Sequence, residues 1–134
     1  MSGRRRFGVS LPRAVADELD SLAMKMRVDR SKLVEKALIS FLNEYRHYLN
    51  DHVCSGVMII VSSFDAGMVA SLLDKYKDIV MTTTHIHLNS HCIEIVVVKG
   101  PSERIAEMHS ELSSLKGCSV RYIPFATVHG GLED

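Results

Sequence analysis

Thr84-His-Ile-His-Leu-Asn-Ser-His-Cys-Ile-Glu-Ile-Val-Val-Val98 consists of two alternating polar and apolar runs on either side of Asn89-Ser90. Runs rich in β-branched residues about a short turn signal predict a β-hairpin. Side chains alternate faces along a strand, so His85 and His87 point the same way. With Asn89-Ser90 as a two-residue turn, Leu88 pairs with His91, His87 with Cys92 and His85 with Glu94. Directly opposed residues have Cβ atoms roughly 4.5–5.5 Å apart, which crowds two imidazoles and a thiol onto one face. A lone His-x-His usually only decorates a strand; the cysteine at the matching cross-strand position makes a metal site the better reading. Imidazole plus thiolate suits nickel, copper, zinc or cobalt rather than magnesium or calcium. Glu94 is a better hydrogen-bond partner for an imidazole than a metal ligand.

Upstream, Gly56-Val-Met-Ile-Ile-Val-Ser-Ser-Phe64 is a near-continuous apolar run, as expected of a strand buried on both faces. Asp65 can cap a helix through about Tyr76, with Met68, Leu72 and Leu73 inward, and Ile79 to Leu88 starts the hairpin. After His91 to Lys99, Gly100-Pro101-Ser102 breaks the chain. Glu103 to Leu115 then aligns Ile105, Met108, Leu112 and Leu115 as a helix, stopped at Lys116-Gly117. Cys118 to Val128 is a last strand, placed at an edge by Pro124, and the tail from His129 is expected to be loose. The order is β-α-β-β-α-β, the ferredoxin-like arrangement. There is no glycine-rich phosphate loop and no Ser/His/Asp constellation at a supporting spacing, so catalysis is not indicated.

Within residues 1–50, Arg4-Arg5-Arg6 leads into a segment with Phe7, Val9 and Leu11 on one face and Arg6, Gly8 and Ser10 on the other. Pro12 ends this strand and suits the first turn of a helix. Val15, Leu19, Leu22 and Met26 give an amphipathic helix over Arg13–Met26. After a turn with Asp29 as N-cap, a second helix runs from about Arg30 to Tyr48, its buried stripe being Leu33, Ala37, Leu38, Phe41, Leu42 and Tyr45. Fifty residues of this kind cannot close a core alone, and pairing the strand with its copy across a two-fold axis is the economical solution. Such a two-stranded ribbon fits the major groove of B-DNA.

This segment resembles the ribbon-helix-helix DNA-binding domain, through the Arg6-to-Leu11 strand, Asp17-Glu18-Leu19-Asp20-Ser21-Leu22 and Arg30-Ser31. The resemblance implies that Arg6, Gly8 and Ser10 face base edges, with Arg6 the strongest reader, since Arg on guanine is the commonest specific contact. It also implies that the amides around Arg30 and Ser31 hold a phosphate. Arg4 and Arg5 are expected on the DNA backbone. Arg27 stands where this turn often carries a left-handed Gly.

The formal net charge of zero is a cancellation: residues 1–50 carry +4 and residues 51–134 carry −4. Such asymmetry marks one half for a polyanion. No run of about 18 apolar residues predicts a membrane span, and the basic start lacks the apolar stretch of a signal peptide. Three cysteines, Cys54, Cys92 and Cys118, without zinc-finger spacing, argue against a disulfide framework and fit a reducing cytoplasm.

The whole is therefore read as α+β: a ribbon-helix-helix domain over residues 1–50, for DNA binding and dimerisation, and a ferredoxin-like, ACT-type domain over residues 51–134, for metal binding and tetramerisation. This combination, with His-x-His and a downstream Cys on the central hairpin, resembles the NikR family of nickel-responsive repressors. The resemblance implies a homotetramer, a dimer of dimers, with nickel held by His85, His87 and Cys92 plus a ligand from a neighbouring subunit, and nickel-promoted binding to a double-stranded operator. Three departures stand out. The neighbour's histidine aligns with Asp74, a harder ligand that favours tetrahedral zinc or cobalt more than a fourth imidazole would. The gap from His87 to Cys92 is one residue shorter than the family's, which a two-residue turn could absorb. The family's acidic pair for an interface cation aligns with Lys32 and Lys36, whose ammonium groups could replace that cation.

Two other classes compete with the metal-responsive regulator. One is a ribbon-helix-helix regulator whose ACT-type domain binds an amino acid. The other is an antitoxin-like protein whose C-terminal half binds a protein partner.

Overall fold

The structure is a computed structural model and describes residues 3–63 and 67–125. Its elements are α1 (Arg13–Met26), α2 (Arg30–Tyr45), a 3-10 turn over Arg46–Tyr48, β1 (Val53–Ser62), α3 (Gly67–Lys75), β2 (Val80–Leu88), β3 (His91–Pro101), α4 (Ser102–Ser113) and β4 (Cys118–Pro124). The chain divides into two compact units after Leu38, within α2.

In the first unit, α1 begins directly after Pro12 and ends at Arg27, whose φ of 58° and ψ of 47° are left-handed. The reversal brings the Val28 amide to the Ala23 carbonyl at 3.1 Å and the Arg27 amide to Met24 at 3.2 Å. An L-residue there costs roughly 1–2 kcal/mol, which explains the usual preference for glycine. Asp29 precedes α2, its carbonyl accepting from the Lys32 and Leu33 amides. Residues 3–12 join neither a helix nor a sheet within the single chain, because a strand exists only by pairing its backbone. The expected buried stripes are correspondingly open: Phe7, Val9, Leu11, Val15, Leu22, Met26, Leu38, Phe41 and Leu42 are all exposed. One copy of this segment lacks the apolar area to cover them.

The second unit is one antiparallel sheet in the order β2-β3-β1-β4, the ferredoxin-like topology. Met58, Ile60, Val96, Val98 and Tyr122 on the sheet pack with Ile105, Met108 and Leu112 of α4 and with Val69, Tyr76 and Ile79. On α3 it is Val69 that is buried, whereas Met68 is 62 % exposed, correcting the expected inward set. β1 was expected to be buried on both faces. It instead alternates, with Cys54, Gly56, Met58, Ile60 and Ser62 buried and the intervening residues half-buried or exposed. The core-forming helix α4 packs against one side, so only that side is sealed within the chain. β4 pairs with β1 alone, so Pro124 does lie on an edge strand. The Asp65 cap, the end of the first apolar run at Phe64, the last strand beyond residue 125 and the tail from His129 lie outside the described residues.

The last turn of α2 and the 3-10 turn belong to this unit and bury polar groups rather than the apolar stripe. Asn43, Glu44 and His47 are buried. Glu44 accepts from the Tyr122 backbone amide at 3.0 Å and from Arg121 Nε at 2.9 Å, so it caps the outer edge of β4. His47 and His109 face each other at 3.1 Å, between Tyr45, Tyr48 and Tyr122.

Candidate metal centre

The hairpin turn has φ of 46° at Asn89 and 66° at Ser90, the doubly left-handed two-residue turn that matches strand twist. It sets Leu88 opposite His91, His87 opposite Cys92 and His85 opposite Glu94, as the spacing predicts. The pairing slips by one at Met81, between Val80/Val98 and Thr82/Val97. A one-residue slip flips the side chains that follow. Val80 therefore packs on the core, and the odd-numbered positions after the bulge, which carry His85 and His87, point to the same side of the sheet while staying exposed. The triad thus lies on the helix-covered side, with Cys92 and Glu94 buried and both imidazoles at the surface.

One ligand atom each from His85, His87 and Cys92 fall within 4.8 Å of one another, the only such cluster among the described residues. His85 Nε2 is 2.8 Å from His87 Nε2, and His87 Nδ1 is 3.6 Å from Cys92 Sγ. His85 Nδ1 is hydrogen-bonded to Glu94 Oε1. A carboxylate only accepts, so His85 carries its proton on Nδ1 and turns a lone pair outward on Nε2. His87 then donates from Nε2 and accepts the Cys92 thiol proton at Nδ1. Without metal, the four side chains form one polarised chain ending on Glu94. Three borderline-soft donors on a rigid hairpin, with one imidazole oriented by a carboxylate, fit a transition-metal ion and leave a coordination position for a further ligand.

Asp74 lies exposed near the end of α3 and outside its own chain's cluster. On the first unit, Arg5, Arg6, Gly8, Ser10 and Ser31 are exposed. Arg4 pairs with Glu35 at 3.3 Å and Arg30 with Asp20 at 3.1 Å, exposed pairs worth little individually. Lys32 lies 3.9 Å from Glu35, and Lys36 is exposed. The sequence reading missed Glu44, His47 and His109: each looks like a solvated polar residue on a helix until distant β4 comes alongside.

Residues 3–46 match the ribbon-helix-helix domain family, and residues 66–124, which hold the whole triad, match the NikR C terminal nickel binding domain. Proteins provisionally named nickel-responsive regulators align along most of the chain. Those of Thermococcus onnurineus and Thermococcus kodakarensis are 35% and 33% identical over 118 residues, covering 84% of this chain and 86% of theirs. The one from Pyrococcus furiosus is 31% identical over the same length. The chain belongs to the nickel-responsive regulator family. It is a metal-responsive DNA-binding regulator of transcription, not an enzyme. The two-residue turn sets the Cys92 thiol directly across from His87. No helix among the described residues is long and apolar enough to cross a membrane.

Proposed function

We propose that the chain is a nickel-dependent repressor in which His85, His87 and Cys92 hold the metal, with Asp74 of a neighbouring subunit supplying a fourth ligand and Glu94 orienting His85. The convergence of the three donor atoms within 4.8 Å carries this reading. Bound nickel supplies no chemistry beyond a cross-link. By linkage, an ion held between subunits stabilises one arrangement of the assembly and hence one spacing of the DNA-reading ribbons.

Two apolar surfaces support the assembly. In the first unit, Phe7 at 75% and Val9 at 70% exposure are an unpaired ribbon face, which a second copy covers while Arg6, Gly8 and Ser10 look outward to the groove. In the second, Ile86, Ile95 and Ile123 are exposed on the sheet face away from the helices, together with half-buried Val57, Ile59, Ile93 and Val97. Burying this face between copies would join the second units into the larger assembly of this reading. In this reading residues 1–50 bind DNA and residues 51–134 bind metal.

Titrating metal-free protein with nickel, cobalt, zinc and copper under absorption spectroscopy tests it. One tight equivalent per chain, with square-planar nickel bands and thiolate charge transfer that Cys92→Ala abolishes, is the expected result. Tetrahedral cobalt binding tighter than nickel would replace the metal, and no tight equivalent would overturn the site.

A further inference from the structure

A second thiol and imidazole meet at the start of β1. Cys54 Sγ lies 2.6 Å from His52 Nε2. His52 Nδ1 is 2.8 Å from the Asn50 carbonyl oxygen, which only accepts, so Nδ1 carries the proton and Nε2 turns a lone pair to the sulfur. Ser102 clamps the segment: its Oγ receives the His52 amide at 3.0 Å and its own amide donates to the His52 carbonyl at 2.7 Å.

This pair lines a recess of about 310 Å³, with His47, Arg46 and Tyr122 also on its wall. His47 is only 4% exposed, and its Nδ1 has no hydrogen-bond partner among the described residues. Its Nε2 faces His109 Nδ1 at 3.1 Å, while His109 Nε2 is turned to the Glu44 carboxylate at 3.8 Å. The carboxylate favours a proton on His109 Nε2, so His109 accepts from His47, and His47 Nδ1 is left with a bare lone pair. The buried Tyr122 hydroxyl lies beside Cys54, within reach of its sulfur.

The wall therefore offers one thiol and two imidazole lone pairs. No carboxylate lines it, and Arg46, held by Asn43, adds a positive charge. That combination disfavours hard divalent ions and suits a soft ion whose charge a single thiolate cancels. We propose that Cys54 and His52, with His47 further along the same recess wall, form a second metal site for a monovalent thiophilic ion, copper(I), separate from the hairpin centre. Binding would replace the Cys54 S–H proton, which leaves to solvent, with the sulfur and Nε2 moving apart to admit the ion. Burial pushes the Cys54 thiol up, so the group stays protonated until the ion arrives.

The test is an anaerobic competition of copper(I) between the full chain and a chromogenic copper(I) chelator. Cys92→Ala, which disables the hairpin centre, is expected to retain one equivalent per chain. Adding Cys118→Ala is expected to leave that equivalent in place, and adding Cys54→Ala to remove it. Adding His52→Ala, with Cys54 intact, is expected to weaken retention at least tenfold; circular dichroism checks that each variant is folded. Retention that survives loss of Cys54, or a Cys92→Ala protein that keeps no copper(I), overturns the site. The count is made in Cys92→Ala, so it stands or falls independently of whether nickel occupies the hairpin.

Discussion

Glu94 and His85 face each other across the β2–β3 hairpin, and the buried carboxylate of the one is hydrogen-bonded to Nδ1 of the other. The glutamate sits behind the imidazole, on the side away from His87, so it fixes both the ring's orientation and which nitrogen is free. Hydrogen bonding of this kind to a metal-ligating histidine is typically worth 10–100-fold in affinity.

Glu94→Gln is accordingly expected to weaken nickel binding by about 10–100-fold with the fold retained. Competition against a chelator of known affinity measures it. An unchanged affinity would mean that His85 needs no orienting partner.

Glu44 is 4% exposed and bonds an edge-strand amide. Glu44→Ala leaves the Tyr122 N–H facing a cavity, and a stranded buried donor costs about 1–3 kcal/mol. A lowered thermal midpoint is expected, with nickel affinity of the folded protein unaffected. An unchanged midpoint would show that water replaces the carboxylate at no cost.

Acid should destabilise the metal-free chain through His47. Burial, then the neighbouring His109 and His52, lowers its pKa to about 4 from the ordinary 6.5. Burial lowers His109 as well, against the opposing pull of Glu44. Between pH 6.5 and about 4 the unfolded chain binds the His47 proton and the folded chain does not, so stability falls as pH falls through that window. Urea midpoints at several pH values read the slope, and His47→Gln should flatten it. A slope unchanged by that substitution would assign the effect elsewhere.

Ser90 and Arg27 both hold left-handed backbone. Ser90→Gly and Arg27→Gly should each stabilise by roughly 0.5–1 kcal/mol, relief of the Cβ strain being partly offset by the added freedom of the unfolded chain. Thermal midpoints measure both. A loss of stability at Ser90 would mean that its side chain contributes more than its backbone strain costs.

The sequence by itself determined what depends on near neighbours. Helix α1 falls on Arg13–Met26 as its periodicity predicts, and a two-residue turn with strands of period two leaves one pairing for His85, His87, Cys92 and Glu94. Only the tertiary structure decided which surfaces close. Helix α4 seals one sheet face and leaves the other bare, the Met81 bulge lets Val80 and the histidines share the core side, and β4 comes alongside α2 to bury Glu44 and His47. Hydrogen-bond register is local and leaves its mark in spacing. Burial depends on which surface the topology brings from 60 or more residues away, as it brings His109 to His47, and no local pattern encodes that.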